Sequence, residues 1–265
     1  MRRTKRLCAV MLDTMGREIM VVRAPSAPAA EPSRSESTFG RFEALQVESG
    51  SQVTLSLDPS APCTPSQLPV SYAGLGSMVR RGDSLFVGRY LVSGADAGSV
   101  YLTVDRVTEA GIVCRARNSA LLDGVLTVFH QERSLESVSN AQNELPVLAE
   151  SDKAAVKALA SEFEVDFLSL SYTRSAEDVA AAREWLASER LGRTRVLAKL
   201  ETRQSLFNLR AIVESCDGVI VSRGNLGLDV ASERVAMTQK AVAAACLLLD
   251  RPCIITRVVD TMVST

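Results

Sequence analysis

Polar residues follow three short apolar stretches in the second half of the sequence, at 196–198, 218–221 and 252–255. They are Lys199, Glu201, Arg223, Gly224, Asn225 and Thr256. Stretches of this kind predict buried parallel strands, and the carboxyl ends of such strands meet at one rim of a barrel. A cation, a carboxylate, an amide, backbone N–H groups and a hydroxyl are therefore expected together. This set suits a phosphorylated anion bound with a divalent metal ion.

A second candidate group follows an apolar run near the start of the chain. Asp13, Thr14 and Glu18 flank Gly16, and their carboxylate and hydroxyl oxygens are ligands that a hard cation prefers. The same residues are also typical of an Asp/Gly turn that closes a strand. Lys199 has a comparable alternative, as a lysine whose stem packs along a strand end. Both interpretations stay open on these residues alone.

The composition gives no sign of a nucleic-acid or membrane partner, and neither is expected. Formal net charge is −1, with 46% apolar and 23% charged residues. No apolar run approaches the ~20 residues of a membrane span. Six cysteines are scattered without a Cys-x-x-Cys pair, which favours buried reduced thiols over disulfides or a zinc site. His130 is the single histidine, so histidine triads and multi-histidine metal sites are not expected.

The pattern along the chain predicts three parts. Residues 1–22 hold one buried strand, residues 23–145 form a small β domain, and residues 146–265 return to the first fold. Within the second part, 24–38 is rich in Ala, Pro and Ser, and a mobile surface loop is predicted there. Short alternating runs separated by turns predict antiparallel strands in the rest of that part.

From about Ser151 onwards, helical periodicity alternates with apolar strands. One helix is expected to begin there, with Ser151 or Asp152 as its N-cap. Another is expected to begin at Ser175, with Asp178 at the spacing of a capping box, and to run to about Ser188. The predicted fold class is α/β: a partial (β/α)₈ barrel with about five of its eight strands, and an inserted small all-β barrel domain.

Five segments together resemble the pyruvate kinase family, in the order and spacing of that family. They are 9–19 (AVMLDTMGREI), 166–179 (DFLSLSYTRSAEDV), 198–201 (AKLE), 222–227 (SRGNLG) and 256–262 (TRVVDTM). The last two are similar to the plant and algal cytosolic branch. The resemblance implies phosphoryl transfer from phosphoenolpyruvate to ADP, giving pyruvate and ATP in glycolysis, with Mg²⁺ and K⁺ as cofactors and a cytoplasmic location.

The resemblance also implies roles for individual residues. Lys199 would neutralise charge on the phosphoryl group, and Thr256 would contact substrate near the enolate; both are expected to be catalytic. The substrate-binding set is Lys199, Arg223, Gly224, Asn225 and Thr256. The metal set is Glu201 and Asn225 for Mg²⁺, Asp13 and Thr14 for K⁺, and Glu18 near the K⁺ site. Ser171 would support these residues from behind.

The sequence also departs from the family. Asn225 stands where most members have Asp, so its amide oxygen would be an uncharged Mg²⁺ ligand. Met15 and Arg17 replace the usual residues of the first segment. Two early barrel strands, the eighth strand and the C-terminal domain are expected to be missing, so the chain resembles a pyruvate kinase truncated at both ends.

Three functions remain open. The first is pyruvate kinase activity, with this sequence as a fragment of an active enzyme that is expected to be a homo-oligomer. The second is a non-catalytic paralogue that docks on a full-length pyruvate kinase as an interaction subunit. The third is another barrel enzyme acting on phosphoenolpyruvate or oxaloacetate, and the inserted β domain argues against it.

Overall fold

The computed structural model of the protein describes residues 8–23, 42–88, 98–130 and 145–256. The segment at 24–38, for which a mobile loop was predicted, lies outside these residues. The chain divides into two compact units. Of the described residues, 8–17 and 145–256 belong to the α/β unit, and 18–23, 42–88 and 98–130 belong to the β unit. The predicted domain boundaries after residues 22 and 145 stay predictions.

The described residues form thirteen strands and seven helices. The strands are β1 (Met11–Asp13), β2 (Leu45–Val47), β3 (Gln52–Ser56), β4 (Gln67–Pro69), β5 (Ser84–Gly88), β6 (Ser99–Val107), β7 (Gly111–Ala116), β8 (Ala120–Leu122), β9 (Thr127–His130), β10 (Phe167–Leu170), β11 (Arg195–Leu200), β12 (Gly218–Val221) and β13 (Cys253–Ile255). The helices are α1 (Leu75–Met78), α2 (Glu150–Ala160), α3 (Ala176–Ser188), α4 (Arg203–Phe207), α5 (Leu209–Ser215), α6 (Arg223–Asp229) and α7 (Ser232–Leu248).

The α/β unit is built on one parallel sheet. Its strands are hydrogen-bonded in the order β1-β10-β11-β12-β13, and every pairing is parallel. Helices connect successive strands from β10 onwards, as expected for a barrel of repeated strand–helix pairs. The five predicted barrel strands are therefore confirmed, in their predicted order. Their carboxyl ends share one edge of the sheet.

Apolar periodicity determines which helix faces cover this sheet. In α3, Val179, Ala182 and Leu186 are buried at intervals of three and four residues, so one stripe of the helix faces the core. In α7, Val242 and Cys246 do the same. These side chains pack in one cluster with the apolar residues of β10, β11 and β12. The buried stripe explains why these helices form where the sequence predicts them.

The outermost parts of the sheet are less buried than the sequence suggests. A strand buried on both faces was predicted near the start of the chain, but Met11 in β1 is 50% exposed. That prediction is wrong for β1, because this strand is at the end of the sheet and pairs only with β10 among the described strands. In the last turn of α7, Leu247 and Leu248 are 83% and 85% exposed.

The β unit contains a six-stranded sheet in the order β4-β3-β7-β6-β5-β9 and a separate β2-β8 pair. All pairings are antiparallel except β3 with β4, which is parallel. Side chains such as Leu55, Leu85, Phe86 and Leu102 are fully or almost fully buried and form its core. The predicted inserted β domain is confirmed. Helix α1 was not predicted, since four residues are too few to show a helical period.

All six cysteines are free, as predicted, but only three of them are buried. Cys114, Cys216 and Cys246 are buried, whereas Cys8 is exposed and the remaining two are partly buried. In the described part of the chain, none of the helices has the length and apolar character of a membrane span.

Candidate active site

Lys199 is the cation at the centre of the polar edge of the α/β sheet. It lies near the end of β11, and its side chain is only 12% exposed. Its Nζ donates to Asp13 Oδ2 at 3.1 Å and to Ser171 Oγ at 3.0 Å, and lies 3.6 Å from Glu201 Oε1. The ammonium group therefore joins the ends of β1, β10 and β11. These contacts fix the position of the ammonium group at this edge.

Glu201 is fully buried and is held by three nitrogen atoms. The backbone N–H of Tyr172 donates to Oε2 at 2.7 Å, and the Asn225 amide donates to Oε1 at 2.7 Å. Lys199 supplies the third nitrogen. Burying a carboxylate without such partners would be costly, so these contacts determine where the carboxylate can lie. Two predicted magnesium ligands, Glu201 and Asn225, are thus in direct contact.

The backbone of Tyr172 adopts a conformation that few side-chain-bearing residues adopt. Its φ is +52°, in the left-handed region, directly after β10. Such a conformation costs on the order of 1 kcal/mol and persists where surrounding contacts hold it. One of these contacts is the N–H bond to Glu201. Tyr172 therefore belongs to the site through its backbone, which sequence reasoning missed.

Thr14 and Ser171 form a buried hydrogen-bonded pair beside Lys199. The Ser171 hydroxyl donates to the Thr14 carbonyl at 2.5 Å, and the Ser171 N–H donates to Thr14 Oγ1 at 3.0 Å. Thr14 Oγ1 in turn donates to the Ser169 carbonyl. The pair ties the end of β1 to the end of β10. Ser171 thus contacts both Thr14 and Lys199, and its supporting role in the site stays a prediction.

A buried aspartate organises the turn that follows Thr14. Asp152 accepts the N–H groups of Met15 and Gly16, each at 2.9 Å, and of Ala149 at 3.1 Å. Helix α2 begins at Glu150, so the prediction of an N-cap at residue 151 or 152 is wrong. Asp152 instead reaches back from the first turn of the helix to its N-cap, and also to the β1 turn. The sequence shows the capping residue but not its second partner.

Gly16 is required by the close approach of two other segments. Its φ is +59°, and a Cβ there would lie 3.0 Å from the Ser171 carbonyl oxygen and 3.1 Å from that of Val147. Only glycine meets both conditions without strain. The Asp-Thr-Met-Gly stretch is therefore a tight turn. Asp13 contacts the Lys199 ammonium from this turn. Binding of a metal cation by the stretch stays a prediction.

Arg223 and Thr256 are in contact with each other. The Arg223 Nε and Nη2 donate to the Thr256 carbonyl at 3.1 and 2.9 Å. The Thr256 hydroxyl donates to the Val221 carbonyl at 3.2 Å. Arg223 therefore holds the residue that follows β13 against the end of β12. Its predicted contact with substrate, and that of Thr256, stay predictions.

The metal predictions differ in how much of their geometry is described. Among the described residues, no cluster of three or more His, Cys, Asp and Glu side chains could hold a metal ion. A divalent cation here would rely on the Glu201 carboxylate, the Asn225 amide oxygen and oxygens of its ligand. Mg²⁺ commonly binds through one or two carboxylates together with substrate phosphates, so this donor set fits it.

The potassium predictions rest on fewer contacts. Asp13 and Thr14 are adjacent in the α/β unit, where a carboxylate and a main-chain carbonyl supply hard oxygens. Glu18 begins the β unit, and its predicted place near the K⁺ site stays a prediction. Gly224 and Asn225 lie in the first turn of α6, where N–H groups have no partner within the helix. Their predicted contact with a substrate carboxylate also stays a prediction.

An ion pair behind the site was missed by the sequence analysis. Arg17 forms two 2.7 Å bonds to Asp178, and both side chains are at least 87% buried. Burial by itself would raise the pKa of Asp178, but the hydrogen bonds and charge of Arg17, with the N–H of Arg174, lower it below its ordinary value. Asp178 therefore does not form the predicted capping box with Ser175. The only sequence signal was Arg17 itself, as a departure from the family pattern.

Comparison with known proteins gives the same family. Residues 1–265 match the family described as "Pyruvate kinase, barrel domain". The chain is 38% identical over 260 residues to "Pyruvate kinase 2, cytosolic" of Oryza sativa subsp. indica, covering 98% of this chain and 45% of that protein. It is 27% identical over 259 residues to "Pyruvate kinase PKLR" of Homo sapiens, covering 97% and 40%.

A crystal structure of a pyruvate kinase from Cryptosporidium parvum has the same fold. Its TM-score is 0.71 at 20% sequence identity, with coverage of 99% of this chain and 48% of that one. At this identity the likeness shows the fold alone. The chain spans less than half the length of the relatives it matches. With the family match extending over all of its residues, the chain belongs to the pyruvate kinase family.

Proposed function

We propose that this chain carries the phosphoryl-transfer site of a pyruvate kinase, which moves a phosphoryl group from phosphoenolpyruvate to ADP and so forms pyruvate and ATP. The observation that carries the proposal is the contact set of Lys199, whose Nζ lies within 3.6 Å of Asp13, Ser171 and Glu201 at the carboxyl end of the sheet. In a barrel, this edge is where catalytic groups are found.

Lys199 would stabilise negative charge on the transferring phosphoryl group. Phosphoryl transfer depends mainly on positioning and electrostatics, and a cation held before the reaction starts needs no rearrangement during it. The bonds from Nζ to Asp13 and Ser171 hold the ammonium in this way. Asp13 is 56% exposed, so this carboxylate can exchange its partner for water or a cation when an anion approaches Lys199.

Glu201 and Asn225 would be the residues that hold Mg²⁺. When bound, Mg²⁺ supplies positive charge that neutralises the phosphoryl oxygens. Glu201 contributes the full negative charge, and its burial keeps the carboxylate from turning towards water. Asn225 contributes an amide oxygen once its side chain turns away from Glu201. Asp13 and Thr14 would bind K⁺, with Glu18 nearby.

The remaining substrate contacts would come from the ends of β12 and β13. The N–H groups of Gly224 and Asn225 would bind the substrate carboxylate, with Arg223 beside them, and the Thr256 hydroxyl would face the enolate. Support comes from the Arg223 bonds that hold the Thr256 backbone. The likeness to a rice protein named as cytosolic supports a cytoplasmic location. A homo-oligomer, or a complex with full-length pyruvate kinase, is the expected assembly.

The test is pyruvate formation from phosphoenolpyruvate and ADP by the purified 265-residue chain, with Mg²⁺ and K⁺. Lys199→Met should lower kcat by about 100-fold or more, the scale of losing one preorganised electrostatic contact. Lys240→Met is the matched control, because Lys240 is an exposed lysine of α7 in the same unit. This variant should keep kcat within about twofold of the unmodified chain.

Two results would overturn the proposal. One is a folded chain that forms no pyruvate, which would favour the non-catalytic interaction subunit instead. The other is Lys199→Met with the activity of the unmodified chain. Circular dichroism of each protein establishes that it is folded before activity is compared.

A further inference from the structure

We propose that Arg17 is a positioning residue, which holds the backbone of Tyr172 so that its N–H remains aimed at Glu201. The inference rests on the proposed role of Glu201 as the ligand of a divalent cation. Arg17 does not touch Glu201. It acts through the backbone of Tyr172. Arg17 donates to the Tyr172 carbonyl, and the Tyr172 N–H donates to Glu201.

Arg17 contacts three separate segments of the α/β unit. Its two terminal nitrogens bind both oxygens of Asp178 in α3, each at 2.7 Å. Its Nε donates to the Leu145 carbonyl at 2.8 Å, and Nη1 donates to the Tyr172 carbonyl at 3.3 Å. The two bonds to the Asp178 carboxylate fix the plane of the guanidinium. The N–H groups that face Leu145 and Tyr172 therefore have a fixed direction as well.

Tyr172 needs such an anchor because its conformation is unfavourable. Its φ of +52° belongs to the left-handed region, which glycine adopts readily but a residue with a side chain does not. Its carbonyl is bound by Arg17, and its N–H is bound by Glu201. The residue is therefore held from both sides of its backbone. Without the Arg17 bond, Tyr172 can return to an ordinary conformation, and the direction of its N–H changes.

The direction of this N–H matters for the orientation of Glu201. The Tyr172 N–H binds Oε2, which leaves Oε1 facing the Asn225 amide at 2.7 Å and Lys199 at 3.6 Å. If the N–H bond is lost, the buried carboxylate loses one of its neutralising donors and its orientation is no longer unique. Groups of this kind behind a metal ligand typically change metal affinity by about 10-fold or more when removed.

The first experiment uses Mn²⁺ as the probe, with its free concentration read by electron paramagnetic resonance. Arg17→Met should weaken Mn²⁺ binding by about 10-fold, whereas the double variant with Glu201→Gln should bind no more weakly than Glu201→Gln alone. Arg183→Met is the matched control. Arg183 also binds a carboxylate, that of Asp217, at 2.7 Å, and it donates to the Ser215 carbonyl. The Arg183→Met variant therefore loses comparable bonds at a place away from Tyr172.

The second experiment reads the Tyr172 amide directly and needs no metal. The chain has four tyrosines, so ¹⁵N-tyrosine labelling gives few signals, and Tyr172→Phe identifies the one of interest. Arg17→Met should shift the Tyr172 signal and speed its hydrogen exchange, while Tyr101 in the β unit stays unchanged. Should Arg17→Met not fold, Asp178→Asn replaces it, since it removes the carboxylate that anchors the guanidinium.

The outcomes separate the two proposals. If Glu201→Gln leaves Mn²⁺ affinity unchanged, the metal role of Glu201 fails, while the Tyr172 amide still tests Arg17. If Glu201→Gln weakens Mn²⁺ binding but Arg17→Met matches Arg183→Met in both experiments, the positioning role of Arg17 is overturned. Loss of affinity together with a displaced Tyr172 signal supports it.

Discussion

The side-chain amide of Asn225 donates a 2.7 Å hydrogen bond to Glu201 Oε1, so the two predicted magnesium ligands are in direct contact. An aspartate at this position would place two carboxylates in contact, and one of them would have to take up a proton or a cation. Asn225 instead gives Glu201 a hydrogen-bond donor, and its neutral amide oxygen would bring less charge to a metal ion than an aspartate.

Replacing Asn225 with Asp should lower the stability of the chain and raise its affinity for a divalent metal ion. We expect Asn225→Asp to lower the free energy of unfolding without metal by about 1–3 kcal/mol, because an amide donor becomes a second carboxylate. Mn²⁺ should bind about tenfold more tightly, because the ligand charge increases. Calorimetric titration and urea unfolding with and without Mn²⁺ measure both effects.

Asn208→Asp is the control for that substitution. The Asn208 amide donates to the Arg174 carbonyl at 2.8 Å, so its replacement also loses a donor but adds no contact with Glu201. It should lower stability without raising Mn²⁺ affinity. Equal affinities for the two variants would show that the Asn225 position does not face the metal.

Gly16→Ala should destabilise the α/β unit. The new Cβ would meet two carbonyl oxygens at 3.0 and 3.1 Å, and φ is +59°, so about 2 kcal/mol of the free energy of unfolding should be lost. Trp185, the single tryptophan, lies on α3 and reports unfolding of this unit by fluorescence. Gly192→Ala is the control, because a Cβ there has nothing within 4 Å. If both variants unfold at the same urea concentration, the claim that position 16 requires glycine is wrong.

Protonation of Asp178 in acid should lower the stability of the α/β unit. Its pKa is lowered because Arg17 and the Arg174 N–H outweigh the opposing effect of burial. A carboxylate with a lowered folded-state pKa adds stability above its unfolded pKa of about 3.9, and this stability is lost as pH falls through the folded-state value. Asp178→Asn should cost about 3 kcal/mol at pH 7, because it leaves Arg17 without its charge partner.

The measurement compares urea unfolding of the chain and of Asp178→Asn at several pH values between 7 and about 3. The difference between the two proteins should be constant down to about pH 5 and shrink below it. A difference that widens on acidification would have the wrong sign and would rule out this assignment. Other carboxylates titrate in both proteins, so their contribution cancels in the difference.

Thiol reactivity should follow burial. Burial raises the pKa of Cys114 to about 12, with the Asp105 charge adding to it, and burial with Cys253 nearby raises that of Cys246 to about 12. A disulfide reagent at pH 8 should therefore modify exposed Cys8 first and leave these two until the chain unfolds. Mass spectrometry of the labelled peptides identifies each site. Labelling of Cys114 as fast as Cys8 would contradict the described β unit.

Several features of the site were predictable from the order of residues along the chain. Lys199, Glu201 and Asn225 each follow an apolar run, and parallel strands bring such positions to one edge. This pattern and the family resemblance predicted five strands in their observed order. The extent of α3 could be predicted because helical period is a local property of a sequence, whereas the start of α2 was predicted wrongly.

The contacts behind the site could not be predicted in this way. Asp178 has the spacing of a capping residue, and only the fold shows that Arg17, 161 positions earlier, takes its carboxylate instead. Asp152 likewise serves its own helix and the β1 turn together. Local spacing cannot show whether such a carboxylate binds the N–H groups of its own helix or a donor from a distant segment. A carboxylate near a helix start is favourable in both cases.

The sequence by itself determined the parallel strands, the inserted β domain and the polar residue types at the strand ends, because hydrophobic periodicity and side-chain chemistry are written along the chain. Only the tertiary structure decided which polar atoms meet. The bonds of Tyr172 to Glu201, of Lys199 to Asp13 and of Asn225 to Glu201 each connect segments at least 24 residues apart in the sequence. Contacts of this kind depend on the packing of the whole sheet, and no local pattern encodes that packing.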